Sequence, residues 1–242
     1  MTRLSTLRSR LGDWMRFVGL SARLISGRRF WIAPLLTLLW PAFQALRLLM
    51  GWQDSAFEPS SVQTVLVGFP MIILAIGLGV RIIADEMDRR TLEIAYTVPG
   101  GAHRVWLGKL AAACGLLVAA EILLAAVTSA FFAPLTVGAL YGALQGAVFY
   151  LVLSMGLAAL TRSEITGALA VAVVLSLHGL FTGFGGNQLR VSPTFNPLSL
   201  TGTAPEIVVA YTLQNRIGIA LAIAALTALA FARAERREKL LG

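Results

Sequence analysis

Charge is what this chain lacks. Only 13% of its 242 residues are Asp, Glu, Lys or Arg, while 57% are hydrophobic and the mean hydropathy is +0.77. A soluble domain carries roughly 25% charged residues, and a water-soluble fold this size could not cover its apolar surface with so few. The same poverty excludes a disordered chain. Cysteine is reduced to Cys114, inside an apolar run, so an intramolecular disulfide and a Cys-based metal centre are both excluded. Histidine is reduced to His103 and His178, and no metal-ligand set can be built from them. There is no H-E-x-x-H, no G-x-S-x-G and no aspartate pair of the kind intramembrane hydrolases use. No A-x-A site follows the first long apolar run, which begins only at Phe30, so no cleavable signal peptide is expected.

What the chain has instead is apolar runs of spanning length. They fall near residues 30–50, 62–83, 107–130, 135–160, 165–184 and 207–232. Each reaches the ~20 residues a helix needs to cross a ~30 Å hydrocarbon core. The expected fold is all-α and polytopic, a single transmembrane domain over 1–242: a cytoplasmic amphipathic segment (1–29), a six-span bundle (30–232) and a basic tail (233–242). A tight turn is expected at 131–134. Tyr211, Gln214, Asn215 and Arg216 interrupt the last run, which reads either as one span or as a short external helix followed by a span from Ile217.

The net charge is +8, and its placement decides its meaning. Lys and Arg gather in the N-terminal segment, in the loop after the second span, at Arg162 and in the tail; the opposite side keeps only Arg47, Arg190 and Arg216. That is the asymmetry of the positive-inside rule. It puts both termini in the cytoplasm and makes the lipid bilayer, not nucleic acid, the partner of the basic residues. Arg47 and Arg216 read as outer-interface anchors with room to snorkel.

Two cytoplasmic elements stand out. Leu11, Trp14, Met15, Val18, Ala22 and Ile25 recur at helical spacing, which predicts an amphipathic helix lying in the membrane interface, either as an anchor or as a docking element. The second is the loop Glu86-Met87-Asp88-Arg89-Arg90-Thr91-Leu92-Glu93, running on to Pro99-Gly100-Gly101 and then to Gly108-Lys109 at the next span. Asp88 or Thr91 can cap a short helix there and Pro99 ends it. Held by spans on both sides, such a helix suits a lever; the plain alternative is a solvated loop. Gly108-Lys109 is no P-loop, since position 103 is His and position 110 is Leu.

The stretch Thr91-Leu92-Glu93…Pro99…Gly108-Lys109 resembles the loop characteristic of ABC-2 type transporter permeases, with Arg90 standing where that family carries Gly. The resemblance implies an N-terminal elbow helix, six spans and a short cytoplasmic coupling helix between spans two and three. It also implies a membrane permease subunit of an ABC exporter in the cytoplasmic (inner) membrane, moving a hydrophobic or amphipathic substrate. Its partners would be separate ABC ATPase subunits, which hold ATP and Mg, and a second permease copy in a homodimer or heterodimer. This chain would bind no cofactor and would not itself be an enzyme. Glu86, Arg90, Thr91, Leu92, Glu93, Pro99 and Lys109 would form the coupling region and ATPase contact.

Inside the spans, Glu121 lies twelve residues past Lys109, ~18 Å along a helix and so near the bilayer midplane. A carboxylate there must be protonated, paired or wet. Glu121 and His178 are read as substrate-pathway residues or as interhelical glue. Gly138, Gly142 and Gly146, four apart, mark a helix-packing stripe. The external segment 185–205, rich in Gly, Asn, Ser, Thr and Pro, reads as a cap on the outer end or a simple connection. Two other functions stay open: an intramembrane enzyme using Glu121 and His178, and a non-transporting scaffold for an ATPase.

Overall fold

The computed structural model describes residues 2–52, 57–88, 101–184 and 191–235, and among these the structure is helical without a strand. Helix α1 spans Thr2–Ser26. Six further helices are long and apolar enough to cross a membrane. They are α2 (Ile32–Leu49), α3 (Val62–Asp88), α4 (Ala102–Phe131), α5 (Val137–Thr161), α6 (Glu164–Phe184) and α7 (Pro205–Glu235). At 1.5 Å per residue, the 30 residues of α4 reach ~45 Å, well beyond the hydrocarbon core. The last span is one continuous helix; the alternative of a short external helix before Ile217 is corrected. Its polar residues interrupt hydropathy but not the helix, because Asn215 and Arg216 turn inward and find partners on other elements.

Helix α5 is the centre, packed against α3, α6 and α7. In lipid, burying apolar side chains gives helices little reason to associate, so close fit has to supply it. The seams are accordingly tight. A Cβ on Gly79 of α3 would overlap Leu151 O and Ser154 Oγ of α5. Helix α1 lies on α4, with Ala22 and Ile25 buried and the Phe17 ring seated over Gly108. Met15, on the same predicted stripe, is 61% exposed.

Helix α3 begins with a π-helical stretch, Val62–Gly68. Pro70 ends it. In this wide register Phe69 N bonds Thr64 O, and the next bond in the series would need an N–H from Pro70, which has none. Val65 O is left over and accepts from Trp40 Nε1 at 2.8 Å. The sequence thus makes a local defect and ties α2 to α3 with it. The turn between α4 and α5 covers 132–136, where Thr136 Oγ1 accepts from Ala139 N and caps α5.

Candidate functional site

The roots of the 89–100 loop meet in a buried polar knot. Glu86, near the end of α3, and Lys109, two turns into α4, form an ion pair at 3.0 Å, Oε1 to Nζ. Trp106 donates its indole N–H to the other carboxylate oxygen at 2.9 Å. Lys109 is 2% exposed, Glu86 9%, and Trp106 fully buried. Gly101 takes φ +81 just before α4, a conformation glycine adopts without strain, so the chain turns sharply into the helix that carries Trp106 and Lys109. A buried ion pair contributes little net stability, yet removing one partner strands the other in low dielectric. What it secures is register: the two roots cannot slide past each other.

A second set of contacts extends the knot sideways. Arg81 Nη1 donates to Ile25 O at 3.2 Å, which reaches α1, and Arg81 Nε lies 3.5 Å from Glu164 Oε2, which reaches α6. The Asp88 carboxylate accepts from Glu164 N at 3.2 Å, so it supplies an acceptor at the start of α6. The end of α3 on the side of the chain termini, the inner end, is therefore bonded to α1, α4 and α6 within eight residues of sequence. Arg90, Thr91, Leu92, Glu93 and Pro99 lie outside the described residues. Glu86 and Lys109 are turned to each other inside the bundle.

The outer end is held differently, by amides and hydroxyls. The segment 191–200 folds inward, with Ser192, Phe195 and Asn196 buried. Buried backbone needs partners; two side chains supply them to this segment, and Asn196 of the segment supplies one in return. Asn215 Nδ2 donates to Ser192 O at 2.8 Å, Gln63 Nε2 to Phe195 O at 3.4 Å, and Asn196 Nδ2 to Ser60 O. The glycine stripe of α5 makes room: a Cβ on Gly146 would strike Pro193 O, and one on Gly142 would crowd Arg216 and Gln63, whereas Gly138 faces open space. Arg216 is not a lipid-facing anchor. It turns inward, 3.4 Å from Gln145 Oε1 and over the Tyr141 ring at 5.5 Å, because a guanidinium in an apolar span seeks acceptors and aromatic faces. Arg47 stays local, donating to Gln44 Oε1 at 3.1 Å.

His178 joins this outer set, with Nε2 2.9 Å from Ser192 Oγ and Nδ1 3.3 Å from Tyr150 Oη. Both ring nitrogens are thus engaged, which is how an interhelical tie looks. Glu121 is 9% exposed, and its Oε1 is buried without a hydrogen-bond partner among the described residues. No hydrogen bond joins Glu121 to His178. Sequence reading missed Trp106, Arg81 and Glu164 as parts of the inner knot. Arg81 had registered only as topology charge; the signal available was an acid and a base at equal depth on the two sides of one hairpin. The chain matches no family model, no curated protein and no solved structure.

Proposed function

We propose that the chain is the membrane permease subunit of an ABC-2 type exporter, with both termini in the cytoplasm and with ATP hydrolysis in separate partner subunits. The observation that carries this reading is the Glu86–Lys109–Trp106 knot under the 89–100 loop. A lever is useful only if its base is stiff. Here the base is pinned by buried charge and tied to α1 and α6 through Arg81 and Asp88. A push on a coupling helix carrying Thr91, Leu92 and Glu93 would therefore move several spans as a body, the rigid-body motion that alternating access uses. The elbow role of α1 follows from the Arg81–Ile25 tie. The mobile counterpart would be the outer set of neutral hydrogen bonds, and Glu121 with its unpartnered oxygen faces the pathway.

The test is co-purification of the tagged chain in mild detergent. The expected result is a P-loop ATPase that comes with it and whose ATP hydrolysis is uncoupled by Leu92→Ala or Glu93→Ala while the chain stays folded. If no such ATPase accompanies the chain under conditions that preserve a known ABC complex, the reading is wrong.

A further inference from the structure

Away from the loop, a groove of about 700 Å³ opens between α2 and α3, beside the end of α1. Most of its wall is apolar: Ile32, Leu36 and Trp40 on one side, Phe69, Ile73 and Leu74 on the other. At the end next to the α1–α2 turn the wall changes. Ser26, Arg29 and Arg81 line it there. The exposed Arg29 side chain has no hydrogen bond or ion pair among the described residues. Ser26 Oγ is buried without a partner. Arg81 keeps 51% of its side chain exposed beside its bonds to Ile25 and Glu164.

Length and charge together identify an occupant. From Phe69 to Arg81 is twelve residues of helix, ~18 Å. One leaflet of a ~30 Å hydrocarbon core is about 15 Å deep. The groove therefore runs from headgroup level to the bilayer midplane, where the Trp40 and Phe69 rings, 4.7 Å apart, close it. We propose that it holds one anionic phospholipid of the leaflet facing the chain termini, its acyl chain along Ile73 and Gly77 and its phosphate between Arg29 and Arg81. The apolar face of a helix from a second copy would fill the walls but give the Arg29 guanidinium no anion and leave the exposed half of Arg81 unused. A zwitterionic lipid would bring its own cation to them.

Gly77 allows a clean test, because it lines the groove and a Cβ there meets nothing within 4 Å. A larger side chain can fill the space without straining the fold. The probes are phosphatidylglycerol and phosphatidylcholine with the same acyl chains, added to the full-length chain in detergent and read by native mass spectrometry. The wild type should retain one phosphatidylglycerol in preference to phosphatidylcholine by roughly tenfold. Gly77→Phe should lose the retained lipid of either kind. Arg29→Ala should keep a lipid but lose the preference. Equal retention of the two lipids by the wild type overturns the proposal, as does undiminished phosphatidylglycerol on Gly77→Phe. If Gly77→Phe instead converts a dimer to a monomer, the groove belongs to a second copy and the proposal fails. The readout is lipid mass, so it stands or falls independently of any ATPase partner.

Discussion

The two ends of this bundle are fastened by different chemistry. At the inner end the fastening is ionic: Glu86 with Lys109, which is buried, and Arg81 with Glu164, which is half-exposed. At the outer end it is a set of amide, hydroxyl and imidazole hydrogen bonds: Gln63, Asn215 and His178 bond to one inward-folded segment, and Asn196 of that segment donates to Ser60 O. A buried charge has no cheap alternative to its partner, so the Glu86–Lys109 pair is all or none. A neutral hydrogen bond contributes only about 0.5–1.5 kcal/mol net, and its groups can exchange partners or take up water. Under the proposed permease function, the contrast suits a bundle driven from a rigid end and opening at a yielding one.

Breaking the ionic end should give the largest effect. Lys109→Met leaves Glu86 buried and unpaired, and we expect a loss of about 3–5 kcal/mol, read as a large drop in the thermal midpoint in detergent. Glu86→Gln/Lys109→Met should recover most of it, because the amide still accepts from Trp106 and no charge is stranded. If the double variant is as unstable as the single, the pair's charge is not what holds the roots.

The outer end should fail locally and by less. Asn215→Ala leaves Ser192 O without its donor, at a cost of about 1–3 kcal/mol. It should show as faster thiol labelling of a cysteine placed at Thr194, with the inner end unchanged. Equal labelling of wild type and variant would mean that the segment is held by something other than this bond. The smallest effect belongs to Asp88→Ala. It removes the acceptor for Glu164 N at the start of α6, and we expect about 0.5–2 kcal/mol, read as a modest fall in the thermal midpoint. A fall as large as that of Lys109→Met would erase the distinction between the central pair and its periphery.

Sequence patterning carried the spans well, because hydropathy and length are summed over twenty residues and tolerate local exceptions. It misjudged the start of α7, where Asn215 and Arg216 read as interruptions. Their partners, Ser192 and Gln145, lie far along the chain, so nothing local announced that they would be satisfied inside. The same limit hid the inner knot. Glu86 and Lys109 were noticed one at a time, as surface groups for a partner, whereas their pairing depends on the hairpin bringing α3 and α4 to equal depth. On α1 the helical period grouped Ala22 and Ile25 on a stripe meant for the membrane interface; both are buried within the bundle. It could not show which residues of that stripe the protein itself would cover, since the contact with α4 is a tertiary fact.

The central claim is that the knot transmits force from the 89–100 loop to the spans. The most direct measurement is ATP hydrolysis by the complex of partner ATPase with wild-type chain and with the Glu86→Gln/Lys109→Met variant, which is expected to remain folded. The account predicts that the variant still binds the ATPase but no longer alters its turnover as the wild type does. Unchanged stimulation with the ion pair gone would contradict it.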